Sequence, residues 1–284
     1  MIDFWFQGLD SHGFHRLHYS DWGNPANPRV VVCVHGLTRN CRDFDLLATA
    51  LQDELRVVCL DVAGRGRSDW LANPEDYAYP QYMADATALI ARITAAGAKE
   101  IDWVGTSMGG MLGMLLAARP QTPIRRLVLN DVGTVIPKES MARIGEYVGR
   151  APDFESFAAL EKYVRKVSAP FGPLSDAQWR HLAEHNSRQR ADGRWVMCYD
   201  PAIALPFRKA MERDILLWTP YEALHCPVLL LRGADSDVLP REVALEMTQR
   251  GPRPHLVEFP GVGHAPALMA EDQIRAVRDF LLAP

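Results

Sequence analysis

Apolar positions along this chain follow two alternating periods. Val30-Val31-Val32-Cys33-Val34 is a near-continuous apolar run, as a strand buried on both faces of a parallel sheet requires. Similar short runs occur at 56–61, 101–106, 124–131, 227–231 and 256–259. Between them the period changes to that of an amphipathic helix. Phe44, Leu47, Ala48 and Leu51 share one face of 42–51, and Ala86, Leu89, Ile90 and Ile93 one face of 82–96. Further helices are expected at 108–119, 241–249 and 271–282. Upstream, 2–8 and 14–22 read as two strands around a Ser11-His12-Gly13 turn, a hairpin pattern. Strand-helix alternation of this kind predicts a largely parallel sheet covered by helices on both faces.

The alternation breaks after residue 132. Residues 133–222 read as mostly helical and carry many aromatics, among them Tyr147, Tyr163, Phe171, Trp179, Trp195, Tyr199, Phe207 and Trp218. We expect an inserted helical lid there, with the core domain formed by 1–132 and 223–284. Plain helical core accounts for most of these side chains, and a few should line a pocket.

Composition narrows the class. The chain has 284 residues, 48% hydrophobic and 23% charged, with a net charge of −4. That suits one large globular domain with an insertion. Mild acidity and the lack of a Lys/Arg block argue against nucleic acid as a partner. No apolar run nears the ~20 residues needed to span a bilayer, and the start, Met1-Ile2-Asp3-Phe4, has no basic-then-apolar leader. The five cysteines form no Cys-x-x-Cys pair. Together these lead us to expect a cytoplasmic protein, monomer or homodimer, that does not engage membranes.

The chemistry is concentrated at Gly105-Thr106-Ser107-Met108-Gly109. Glycine and serine are common enough for Gly-x-Ser-x-Gly to recur by chance, so its flanks carry the weight. A strand-like run precedes it, and a run without β-branched residues follows. A serine on such a turn is lifted from the sheet edge and exposed. A hydroxyl is a weak nucleophile at neutral pH. It needs a base in reach, a group to orient that base, and donors for the developing oxyanion. His264, in Gly261-Val262-Gly263-His264-Ala265-Pro266 after the last strand, is placed to be the base. Leu37, after the 30–34 strand, and Met108, after the serine, are placed to offer backbone N–H groups. Three acids are candidates to orient the histidine: Asp235 and Asp237 in the loop after 227–231, and Asp131 after 124–130.

At these residues the chain resembles the α/β-hydrolase family along essentially its whole length. The likeness rests on His35-Gly36, Asp61 through Asp69 with its Asp-x-x-Gly-x-Gly-x-Ser pattern, Gly105 to Gly110, Gly233 to Asp237, and Gly263-His264. It implies an α/β-hydrolase fold, with an eight-stranded, mostly parallel sheet and a helical lid, and no cofactor. The family commonly sets its acid three residues after the loop glycine, which here is Ser236. Asp237 is the acid this reading favours, because Ser-Asp-x-Leu resembles a lidded bacterial esterase branch; Asp235 and Asp131 stay as alternatives. A serine nucleophile excludes the branches that use aspartate. The expected function is hydrolysis of a small-molecule carboxylic ester, hydroxy-acid oligoesters among them. C–C bond hydrolysis of ring-cleavage products, lactonase or amidase action, and a non-catalytic binding role are the alternatives.

Two other motifs point elsewhere. Gly64-Arg65-Gly66 matches neither phosphate-binding glycine pattern and reads as a connecting turn pinned by Asp69. His181-Leu182-Ala183-Glu184-His185 matches a His-x-x-Glu-His zinc pattern, but it falls within the lid and reads as an exposed helix. No metal is expected.

Overall fold

The computed structural model describes residues 1–283. Its centre is an eight-stranded sheet. Strands β1 (Ile2–Asp10) and β2 (Gly13–Trp22) form the antiparallel hairpin, with Ile2 opposite Asp21. β2 runs antiparallel to β4 (Arg56–Leu60), and from there every pairing is parallel. The order across the sheet is β1, β2, β4, β3 (Arg29–Val34), β5 (Glu100–Thr106), β6 (Ile124–Asn130), then strands Val228–Gly233 and His255–Phe259.

The apolar runs lie in the middle of the sheet because only there are both faces covered. Val30, Val32 and Val34 pack into one hydrophobic cluster, Val31 and Cys33 into the other. Helices α1 (Asp45–Leu51) and Glu271–Leu282 cover the second face. Helices α2 (Tyr79–Ala95) and α3 (Met108–Ala117) cover the first. The connection 41–51 is less helical than its periodicity suggests: a 3₁₀ turn at Cys41–Phe44 precedes α1. Asn40 caps that turn by accepting from the Arg42 amide, which commits the chain to the tighter winding.

Between β6 and Val228 the chain adds no strand to this sheet. It forms α4 (Lys138–Gly145), α5 (Phe157–Val167), α6 (Asp176–His185) and shorter helices. It also forms two small sheets, unlike the mostly helical expectation: Val135–Ile136 with Ile215–Leu216, and Asp153–Phe154 with Trp195–Met197 and Ser187–Gln189. Strands of two or three residues, one of them Ser-Arg-Gln, leave no period to read. No described helix is long and apolar enough to cross a membrane.

Candidate active site

Ser107 occupies the turn between β5 and α3 with φ 52° and ψ −114°. Positive φ on a non-glycine residue is strained, and close packing on both sides holds it. A Cβ on Gly105 would lie 2.2 Å from the Gly109 carbonyl oxygen, and one on Gly109 would lie 2.0 Å from the Val34 oxygen. Both obstacles are backbone, so neither position accepts a side chain without moving the sheet or the helix. The Ser107 amide donates to the Asn130 carbonyl at 2.9 Å, tying the turn to β6.

The His264 loop converges on the same point. His264 Nε2 is 2.9 Å from Ser107 Oγ. The Asn130 side chain donates to Thr106 Oγ1 and to the Pro266 carbonyl, so one amide fixes the serine turn against the histidine loop.

Asp131 closes the set. Its Oδ2 is 2.7 Å from His264 Nδ1, and its side chain is fully buried. The Gly233 amide donates to Oδ1 at 2.8 Å and the Ser236 hydroxyl to Oδ2 at 2.6 Å. A buried carboxylate is tolerable only when its lone pairs are satisfied in this way. Asp237, which the sequence favours, does not meet His264. Its carboxylate is turned outward onto Arg143, at 2.6 and 2.8 Å. Burial opposes its charge, but the guanidinium prevails and holds the carboxyl below its ordinary value. Asp235 is exposed and takes part through its backbone, donating to the Val262 carbonyl. The physical reason for the difference lies at Ser236. It stands where the family's acid would, and its hydroxyl instead donates to Asp131, just past the end of β6.

Leu37 and Met108 flank the serine. Met108 opens α3, where first-turn amides have no helical acceptor, and Gly36 lies beside Ser107. The loop 63–68 proves to be more than a connection. Arg65 is fully buried; its Nε donates to the Leu37 carbonyl at 2.8 Å and its Nη1 to the Ala63 carbonyl and to Tyr82 Oη. Its Nη2 lies 3.8 Å from Met108 Sδ. One side chain thus touches both Leu37 and Met108. The only sequence signal was an arginine between glycines in a loop without phosphate-binding spacing. Asp61 secures the same loop by accepting from the Cys41 and Arg67 amides and from His18. Asp69, the expected pin, accepts from the Arg16 amide at 2.8 Å. His35 is structural: its Nε2 accepts from the Val62 amide and its Nδ1 donates to the Gly36 carbonyl. Burial, helped by Arg65, pushes its pKa down to about 4.

Two cavities meet at Ser107. One, of about 80 Å³, is lined by His264, Thr38, Arg39, Arg143, Tyr147, Tyr163, Phe171 and Tyr199. The other, of about 200 Å³, is apolar, with Met108, Met111, Ile136, Met141, Ile203, Phe207 and Val238 in its wall. Segment 133–222 contributes to both. Its remaining aromatics, including Trp179, Trp195, Phe154 and Phe157, pack with one another instead.

A strained serine follows a central strand, a histidine follows the last one and contacts it, and a buried aspartate meets the far side of that histidine. The profile of the alpha/beta hydrolase family matches residues 31–278, and the chain belongs to that family. A 3-hydroxybutyrate-oligomer hydrolase of Cupriavidus necator is 47% identical over 282 residues, covering 96% of this chain and 95% of its own. An esterase of Mycobacterium tuberculosis is 29% identical and covers 92% of this chain and 83% of its own. The crystal structure of an alpha/beta hydrolase from Novosphingobium aromaticivorans superimposes with a TM-score of 0.85 at 36% identity, covering 99% of this chain and 97% of its own.

Proposed function

We propose that this hydrolase cleaves carboxylic esters through an acyl-enzyme formed on Ser107. The observation that carries the reading is the unbroken line from Ser107 Oγ to His264 Nε2 at 2.9 Å and from His264 Nδ1 to Asp131 Oδ2 at 2.7 Å. Ser107 attacks the ester carbonyl while His264 takes its proton. Asp131 holds the imidazole in the tautomer with Nδ1 protonated and stabilises the imidazolium. The Leu37 and Met108 amides receive the oxyanion. His264 then protonates the departing alkoxide and activates the water that releases the acyl group. Segment 133–222 serves as the cap that covers the reacting ester.

The substrate class we favour is an oligoester of a short hydroxy acid. The activity in the name of the Cupriavidus relative supports it, and so does the division of the cavity. The apolar side, about 200 Å³, accepts the acyl unit. The other side, about 80 Å³, is more mixed, with Thr38, Tyr147 and Tyr163 among its lining residues where the leaving portion would lie. C–C cleavage of a dicarboxylate-like substrate would call for an uncompensated cationic pocket. Arg39 and Arg143 do line the smaller cavity, but Asp43 and Asp237 neutralise them.

The test is hydrolysis of the 3-hydroxybutyrate dimer and trimer, followed by chromatography of the released acid, for wild type and Ser107→Ala. Turnover of the oligomers, lost in the variant, is expected. Turnover of simple nitrophenyl esters with none of the oligomers would keep the esterase mechanism and remove this substrate class. Activity that survives Ser107→Ala would remove the mechanism.

A further inference from the structure

Helix α6 is not the plain exposed helix that its position suggests. His181 and His185, one turn apart, turn towards the core with ring centroids 4.5 Å from each other. Facing them is Asp45, the first residue of α1, its side chain only 10% exposed. A ligand atom from each of the three residues lies within 4.8 Å of those of the other two. His181 Nε2 is 3.5 Å from Asp45 Oδ2. Two donors on a tetrahedral zinc, with bonds near 2.0–2.1 Å, stand ~3.3 Å apart. The His185 ring, half-buried, makes no hydrogen bond among the described residues. Two imidazoles and one carboxylate, converging with one imidazole unengaged, are the donor set of a zinc-class ion.

We propose that Asp45, His181 and His185 bind one divalent transition-metal ion of the zinc class, which fastens α6 to the core. The fourth position is left to water. Two groups must yield. Arg42 Nε contacts both Asp45 oxygens, at 2.9 and 2.8 Å. Its side chain is 28% exposed and can swing into solvent. The Arg42 carbonyl holds His181 Nε2 at 3.0 Å. For that nitrogen to present a lone pair, the ring proton moves to Nδ1, with no net proton release. Arg42 and the metal therefore compete for Asp45. The corner already joins cap and core, since the Asn40 side chain donates to the His185 carbonyl at 2.8 Å.

The experiment is calorimetric titration of the full chain, stripped of metal by chelation and dialysed, with zinc chloride in a non-coordinating buffer. Thermal melts follow on the same samples. One saturable equivalent is expected for wild type, with a rise in melting temperature. His185→Ala should weaken binding about 100-fold or more by removing a ligand, beyond the 10–100-fold typical of losing a mere supporting group. Arg42→Gln, which frees the carboxylate and removes a positive charge, should tighten it. The absence of saturable binding in wild type would overturn the proposal. So would affinity unchanged in His185→Ala, or affinity unchanged or weakened in Arg42→Gln.

Discussion

At the scale of the residue, the molecule turns on which groups are held in which state. His35 is neutral because it is wholly buried and already committed at both nitrogens. Its folded pKa, about 4, lies below the unfolded value near 6.5. The unfolded chain therefore takes up this proton first as pH falls. The stability His35 contributes is complete above about pH 6.5 and is lost progressively down to about pH 4, on the order of 3 kcal/mol at most. Denaturant melts at pH 7 and pH 4.5 should show wild type losing more stability than His35→Gln over that interval. An equal loss would refute the assignment. Arg65 is the other residue whose role only packing discloses. Arg65→Met keeps the bulk but leaves the Leu37 carbonyl without its donor. On the proposed mechanism we expect kcat to fall ~10–100-fold with KM changed little, because the Leu37 backbone, whose amide is proposed to receive the oxyanion, loses its support. A change confined to KM would contradict this.

At the scale of the element, the serine turn is legible because its constraints are local. Strand, glycine, serine, glycine and helix are adjacent in sequence, and two backbone contacts near 2 Å explain why neither glycine can be replaced. Gly105→Ala should destabilise the fold by about 3 kcal/mol or more, or prevent soluble expression, since backbone cannot relax around the added methyl. A melt within 1 kcal/mol of wild type would contradict the close packing. Which carboxylate meets His264 is not legible in the same way. Asp131, Asp235 and Asp237 all stand just past the ends of adjacent strands, and spacing alone ranks them poorly. What separates them is which neighbour claims each carboxylate: Ser236 and Gly233 hold Asp131 inward, while Arg143 draws Asp237 out. Arg143 is 94 residues away in sequence, so no local pattern announces it. The strands of segment 133–222 were hidden for a related reason. Pairs of two or three residues are made by tertiary contact, with no hydrophobic period of their own.

At the scale of the whole molecule, the sheet was readable from the alternation of apolar runs and amphipathic helices, which also set its parallel direction. The cavity was not, because it is shared between parts of the chain that meet only in three dimensions. Phe207 shows the consequence. It sits on helix Ala204–Ala210 of segment 133–222, yet lines the apolar side of the cavity beside Met108 and Met111. On the proposed reading, Phe207→Ala should move the optimum of a nitrophenyl ester series towards longer acyl chains by a few methylenes, at ~0.8 kcal/mol per CH₂ accommodated. An optimum that stays in place would assign the acyl group to the other cavity.

The most direct test of the account compares two aspartates by one number. We would measure kcat/KM on a single nitrophenyl ester for wild type, Asp131→Asn and Asp237→Asn. If Asp131 orients and charge-stabilises His264, its amide variant should lose roughly 10³–10⁴-fold, the scale of a triad acid replaced by its neutral isostere. Asp237→Asn, which only loosens Arg143, should stay within about tenfold of wild type. A collapse in Asp237→Asn with Asp131→Asn near wild type would contradict the account.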